Sequence, residues 1–436
     1  MNSTKIVMIG GGSAYCPVVL SEMVDAPEVF GDSQLVLMDI NENNLNIIHS
    51  LGVQMAKAAG AKLEICKTTD RREALYGADF VLTSFRPGGF EARVLDEQIP
   101  LKYGIIGQET VGPGGFFMAM RSVEVIRGIV SEMEALAPNA ILLNYTNPTN
   151  IVTQAVLNNS SINTIGLCDQ SQGDKRRLAD ALKVDISRID YEACGLNHAT
   201  WSTSFSIDGI DGIPMVLEKA KDIEADKNIP PPVKRMFQLT TWFNRIPNRY
   251  WQYYYFHDEL LEEALSNRHC RAEEIMTELQ GYFDHYLEES RKPIPNVTKM
   301  RGGSKAFGDF AVKIIRAMIE NSGEKFILNV QNQGSIPGFE DDLVVEVPCT
   351  VDRSGAHPIH QVKFPQELMA RIKMLAEYQA LAAKTAWQGD RRDAVLALAS
   401  NPLVPTLPKA EALVDEMLQA FSKDLPPLLT GSKKTL

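Results

Sequence analysis

Gly10-Gly11-Gly12-Ser13 stands where a short apolar run, Lys5 to Gly10 (KIVMIG), must turn. Glycines at such a turn let the backbone approach a pyrophosphate, and the N-terminus of a following helix favours its negative charge. The third glycine usual in such turns is missing, because Tyr15 and Cys16 occupy that stretch. Asp39 closes a second apolar run, Leu35 to Ile40 (LVLMDI). A carboxylate there accepts hydrogen bonds from a ribose hydroxyl and repels a 2′-phosphate, so the pair reads as a site for NAD rather than NADP. Each feature alone also fits an ordinary turn or a surface aspartate; the dinucleotide reading rests on their occurring together.

Five further segments are dense in groups that move protons, bind cations or hold anions. Arg86-Pro-Gly-Gly is followed by Arg93 and by Asp96-Glu97. Gly107-Gln108-Glu109-Thr110 leads into Gly112-Pro-Gly-Gly115, and Asn144-Tyr-Thr-Asn147-Pro148 ends an apolar run. Gly166-Leu-Cys168-Asp169 ends another, and Gly195-Leu-Asn-His198 follows it. Taken singly, Cys168 reads as a small buried residue and His198 as a core histidine with its hydrogen bonds met. Tyr250 competes with Tyr253, Tyr254 and Tyr255, most of which must be packing.

The elements that position these groups alternate. Lys5–Gly10, Leu35–Ile40, Asp79–Ser84, Ala140–Tyr145 and Thr164–Leu167 read as buried strands, while Pro17–Met23, Asn44–Ala59 and Val123–Leu136 carry helical spacing. Strands alternating with helices predict a Rossmann-like, doubly wound parallel sheet, and ligands bind such sheets at the carboxyl ends of the strands. The rhythm changes near residue 195, so residues 1–195 are expected to form an NAD-binding lobe and 196–436 a second, mainly helical α+β lobe that binds substrate. In the second, Asp222–Val233 is expected to be a surface connection, and Gln238–Met276 is aromatic-rich and helical in spacing. Phe326–Val330 and Leu343–Val351 read as strands, Phe364–Ala386 and Ala410–Phe421 as helices.

With 436 residues the chain is too long for one compact core, and two lobes sharing a cleft are expected. A formal charge of −11 excludes a nucleic-acid partner, which would need a basic stripe, so an anionic substrate must be met by local Arg or Lys. No apolar run is long enough to span a membrane and no export signal leads the chain. The six cysteines lack CxxC pairing, which fits free thiols and a cytoplasmic location.

In their order, GQET, NYTNP, GLCD and GLNH make the chain resemble glycoside hydrolase family 4, from the GGGS turn to the VEVPC run at Cys349. The likeness is greatest to the 6-phospho-α-glucosidases, through RVLDEQIPLKYG, the CD pair and IPNRYWQYY. The resemblance implies NAD and Mn²⁺, or another divalent metal, as cofactors, with Cys168 and His198 as metal ligands. It implies Asp169 as general acid, Tyr250 as base and Glu109 as the residue raising that tyrosine's basicity. Gly10, Gly12, Ser13 and Asp39 fall to NAD, and Arg93, Asn147 and Arg271 to substrate. Arg301, with the Gly302-Gly303-Ser304 turn, could hold a sugar phosphate.

The implied reaction on a small glycoside is oxidation at C3, removal of the C2 proton, loss of the C1 substituent, water addition and re-reduction, an exception to two-carboxylate glycosidases. A homodimer or homotetramer is implied as well. Gln170-Ser-Gln-Gly173 departs from the Met/Ile-Pro pattern of phospho-specific members and is nearer the Ser-Val-Gln-Gly of galactosidase and glucuronidase members. The alternatives are therefore an unphosphorylated α-galactoside, α-glucoside or hexuronide, or a 6-phospho-β-glucoside, whose hydrolases carry Asn at the place of Asp169. In a different class, a hydroxy-acid dehydrogenase would share the first lobe and accumulate NADH.

Overall fold

The computed structural model describes residues 4–301, 309–360 and 364–425. Four of its first five strands, β1 Lys5–Ile9, β2 Gln34–Met38, β4 Phe80–Thr83 and β5 Ile141–Asn144, are short mainly apolar runs, and β3 Glu64–Thr68 is a mixed, mostly unburied strand. With β6 Thr164–Gly166 they pair in parallel in the order β3-β2-β1-β4-β5-β6. Both faces are covered, as parallel sheets require. In β1, Ile6 and Met8 join one apolar core while Val7 and Ile9 join the other.

The strands of the second half do not form a sheet of their own. β7 Ile189–Leu196, β8 Ala199–Ile207, β9 Ile210–Asp211, β10 Glu324–Gln331, β11 Val344–Asp352 and β12 Gly355–Pro358 continue the first sheet. The path beyond β6 runs β10-β11-β7-β8-β9, with β12 beside β11. The added pairings are antiparallel. β7 runs across residues 195 and 196, where the composition changes. A third, smaller core under β7 and β8 is closed by the helices Gln170–Leu182, Ile213–Ala225 and Pro231–Phe243.

Two elements begin earlier than their apolar spacing indicates. The helix expected at Val123 starts at Gly112, with Pro113 in its first turn, where a missing N–H costs nothing. A Cβ at Gly114 would sit 2.5 Å from the carbonyl oxygens of Asp96 and Gln108, so glycine lets this first turn pack directly on backbone. Likewise the expected connection Asp222–Val233 shrinks to residues 226–230, because Pro231 and Pro232 open a helix rather than a loop. The helices Gln366–Gln388, Arg391–Ala399 and Leu407–Ala420 pack on the same face as Gly112–Leu136 and complete the second core. Among the described residues, no helix is long and apolar enough to cross a membrane.

Candidate active site

Gly10 leaves β1 with φ 94°, and a Cβ there would lie 2.1 Å from the carbonyl oxygen of Ser84 on the neighbouring strand's exit. Only glycine allows that approach at that φ. The Gly12 N–H then donates to one Asp39 oxygen at 2.9 Å and the Asn41 N–H to the other at 2.8 Å. Asp39 therefore braces the turn from the end of β2, and the helix Cys16–Val24 follows. A cavity of about 400 Å³ opens here, lined at one end by Gly10, Gly12, Ser13 and Asp39 and at the other by Arg86, Arg93, Asn147 and Arg301. Its shape and the glycine cradle fit a dinucleotide laid across the carboxyl ends of β1, β2 and β4.

The far end of this cavity is a hub of paired charges. Glu109 Oε2 forms ion pairs with Arg86 Nη2 at 2.5 Å and Arg93 Nη1 at 2.9 Å, while Arg93 Nε donates to Glu97 Oε1 at 2.7 Å. Burial opposes ionisation of Glu109, but Arg86 and Arg93 hold its carboxyl below the usual carboxylate range. The second oxygen of Glu97 accepts the Ala272 N–H at 2.9 Å, which caps the helix Arg271–Glu289 and ties the hub to the second half of the chain. Behind it Arg121 and Asp96 form a fully buried pair at 2.5 Å. A second cavity of about 650 Å³ shares Tyr15, Arg93 and Glu109 with the first and continues to Tyr250 and Arg271.

Cys168 follows β6, and Asp169 is the N-cap residue of the helix Gln170–Leu182. His198 lies in the two-residue connection between β7 and β8 with φ 62°, a left-handed conformation that costs a non-glycine residue about 1–2 kcal/mol. Strain of this kind is kept where a side chain has to be aimed. Here it brings His198 Nε2 to 3.6 Å from Cys168 Sγ. Sulfur and imidazole nitrogen bound at about 2.3 and 2.1 Å to one first-row divalent ion, at about 90–110°, lie roughly 3.1–3.6 Å apart, so spacing and donor chemistry fit such an ion. Burial pushes the imidazole down to about 3, with Arg249 adding to the effect, which leaves it neutral. Among the described residues no cluster of three or more metal-binding side chains exists, so this pair stands alone.

Of the four tyrosines near this pair, the ring of Tyr250 stacks on His198 at 3.8 Å and 11°. Tyr254 and Tyr255 pack on Trp251 instead, and Tyr253 lies behind Tyr250 at 5.5 Å. The Asn248 side chain accepts the Tyr250 N–H at 3.0 Å, and the Asn248 N–H donates to Thr200 of β8, so the tyrosine is carried on the same hairpin as His198. Burial raises the Tyr250 phenol, while the Arg249 guanidinium, 5.6 Å from its ring centre, works to lower it. Burial also pushes Asp169 up to about 7.

The remaining expected contacts are more dispersed. Asn147 faces the first cavity, its carbonyl accepting Ser122 Oγ at 3.0 Å. Arg301 lies over the rings of Tyr15 and Phe90, at 4.6 and 4.8 Å. Arg271 borders the second cavity, with a largely exposed side chain paired to Glu274 at 2.8 Å. Gly302, Gly303 and Ser304 lie outside the described residues. Sequence reasoning assigned no role to Arg86, Arg249, Asp174 or Glu346. For Glu346 a signal existed, one carboxylate inside the apolar run Val344–Val347.

Comparison with known proteins follows the same outline. A profile described as family 4 glycosyl hydrolase matches residues 5–184, and one described as the family 4 glycosyl hydrolase C-terminal domain matches residues 193–404. A probable 6-phospho-beta-glucosidase of Bacillus subtilis is 37% identical over 97% of this chain and 97% of its own length. A maltose-6′-phosphate glucosidase of the same organism is 31% identical over 99% and 98%. A solved 6-phospho-alpha-glucosidase from gut microorganisms, in complex with NAD and Mn²⁺, superposes with a TM-score of 0.88 at 26% identity, covering 98% of this chain and 99% of its own.

Proposed function

The chain belongs to family 4 of the glycosyl hydrolases, and on that premise we propose that it cleaves 6-phospho-glucosides with NAD and a divalent metal. The observation that carries the reading is the 3.6 Å approach of Cys168 Sγ to His198 Nε2 under the Tyr250 ring, beside the cavity with the glycine cradle. Gly10, Gly12, Ser13 and Asp39 would hold NAD, and Cys168 and His198 the metal. When bound, these groups supply a reversible hydride acceptor and a Lewis acid, so that C3 of the sugar is oxidised and restored without net redox change.

The chain's own residues do the rest. The Tyr250 phenolic oxygen takes the C2 proton, and Arg249 stabilises the phenolate form. Asp169 gives a proton to the leaving oxygen. Glu109 is fixed by Arg86 and Arg93 and sets the charge beside Tyr250, while Arg93, Asn147, Arg271 and Arg301 orient the sugar. Residues 1–195 would serve the cofactor and 196–436 the substrate, in a homodimer or homotetramer. A doubly charged sugar phosphate does not cross a bilayer unaided, so this reaction belongs in the cytoplasm.

Within this class the α anomer is the proposed substrate, because Asp169 directly follows Cys168 and a maltose-6′-phosphate glucosidase is among the relatives. The β anomer is the second reading, supported by the 37% identical B. subtilis relative. Protein stripped of nucleotide and metal, assayed on matched α- and β-glucosides with and without a 6-phosphate, decides. Hydrolysis of 6-phospho-α-glucosides that requires both NAD and Mn²⁺, without NADH accumulation, is expected. Stoichiometric NADH would make the chain a dehydrogenase, and faster β-cleavage would reverse the anomer.

A further inference from the structure

Cys168 and His198 are carried on strands that are not neighbours. β6 leads to Cys168 and β7 to His198, and β10 and β11 lie between them. The sheet is one residue pair wide at both outer joints, Gly166 with Asn329 and Glu346 with Gly195. Asn329 and Glu346 pair with each other, so Gly166, Asn329, Glu346 and Gly195 form a single row across four strands. A ladder this narrow leaves the two donors free to drift unless side chains span the gap.

Glu346 spans it. The residue is fully buried, and its Oε1 accepts Ser171 Oγ at 2.9 Å while its Oε2 accepts Asn197 Nδ2 at 2.6 Å. Ser171 lies in the first turn of the helix that Asp169 caps, and Asn197 immediately precedes His198. The Asn197 side chain also hydrogen-bonds the Cys168 thiol. Asn329 adds a long bond to the Gly166 carbonyl at 3.4 Å, two residues before Cys168. Among the described residues, Glu346 has no Lys, Arg or His within ion-pair distance; its oxygens are met by neutral donors alone. A carboxylate buried without a counter-charge is a costly way to add stability. Its distinctive property is two acceptors rigidly spaced on one side chain.

We propose that Glu346 is a positioning residue that sets the Cys168–His198 separation, and thereby divalent-cation affinity, by gripping Ser171 with one oxygen and Asn197 with the other. The proposal rests on the reading of Cys168 and His198 as metal ligands. Partners in this second layer commonly change metal affinity about 10–100-fold when removed.

The test is titration of Mn²⁺ into metal-stripped, NAD-loaded protein, followed by the electron paramagnetic resonance of free Mn²⁺, with NAD affinity measured separately. Glu346→Met keeps the length of the side chain but removes both acceptors, so neither Ser171 nor Asn197 is held. The expected result is Mn²⁺ binding weaker by about 10–100-fold with NAD affinity retained. Unchanged Mn²⁺ affinity overturns the proposal, as does a parallel loss of NAD affinity, which would make Glu346 a general determinant of folding. If Glu346→Met does not fold, Ser171→Ala removes one arm alone: Mn²⁺ binding weakened by roughly 10-fold at constant NAD affinity supports the clamp, and wild-type binding overturns it. Wild-type protein that binds no Mn²⁺ defeats the metal site and the clamp together, whereas equal binding by wild type and variant defeats the clamp alone.

Discussion

Replacing Glu109 by Gln removes the negative charge on which Arg86 and Arg93 converge. The side chains are 14%, 21% and 9% exposed respectively, so water screens the two guanidinium groups only in part. Breaking a buried pair by deleting one partner typically costs about 3–5 kcal/mol, because the remaining charge is stranded. Two features reduce that here. Arg93 keeps Glu97 at 2.7 Å. The glutamine oxygen still accepts one hydrogen bond, worth about 1–1.5 kcal/mol. The expected loss is therefore about 2–3 kcal/mol. Urea unfolding of nucleotide-free protein, followed by tryptophan fluorescence, should show a lower midpoint at an unchanged slope. Adding Arg86→Gln then removes the stranded charge, so the double variant should be more stable than the sum of the single losses by about 1–2 kcal/mol. A loss below about 1 kcal/mol for Glu109→Gln would place the hub among solvent-screened surface pairs, and strict additivity with Arg86→Gln would deny the coupling; either result refutes the reasoning.

Gly10→Ala forces a Cβ to 2.1 Å from Ser84 O at φ 94°, so NAD affinity measured by calorimetry should fall by about tenfold or more; wild-type affinity would deny the cradle. Tyr250→Phe should lose turnover by about 10²–10⁴-fold and abolish solvent exchange of a C2 deuterium while NAD and Mn²⁺ still bind. Near-normal turnover would assign the base elsewhere. Burial pushes Asp174 up to about 6, against Arg177 and Arg249, so the folded state keeps a proton that the unfolded chain has already lost. That stability is present below the unfolded pKa near 3.8 and disappears as pH rises through 6, amounting to roughly 2–4 kcal/mol. Asp174→Asn should thus gain stability relative to wild type between pH 4 and 7 in urea titrations, and parallel profiles would contradict the assignment.

Five of the six parallel strands are legible because each is a short apolar run ending in a turn, whereas the edge strand β3, with Glu64 and Lys67 exposed among its five residues, carries no such signal. β10 and β11 are also legible as strands, but not that they join β6. Pairing over such separations leaves no local mark, and only the bonds Gly166–Asn329 and Glu346–Gly195 reveal it. Helix starts at Gly112 and Pro231 are masked because proline and glycine signal turns as well as first helical turns. At the site, the motifs name Cys168 and His198 but contain nothing of their 3.6 Å separation, which joins residues on non-adjacent strands, one of them in a left-handed conformation. Likewise, the resemblance names Tyr250 among four tyrosines of one run, but its stacking on His198 appears only in the fold.

Charge within the cleft is divided in a way that a net charge of −11 hides. Where the two cavities meet, Arg86 and Arg93 are balanced by Glu109 and Glu97, so that wall carries little net charge. Farther into the second cavity Arg235 is paired with Glu263, and Arg271 with Glu274. Arg249 and Arg268 line the same cavity, and among the described residues neither has a carboxylate within ion-pair distance; Arg249 Nε is buried without a hydrogen-bond partner. An unpaired guanidinium group in a partly closed cavity attracts a phosphate far more than one already paired. On the proposed reading the neutral wall would orient the sugar ring beside Tyr250, and the unpaired cations of the larger cavity would meet a phosphate. A net charge of −11 is thus compatible with the proposed phosphorylated substrate, because a few local guanidinium groups can attract a phosphate independently of the field of the whole molecule.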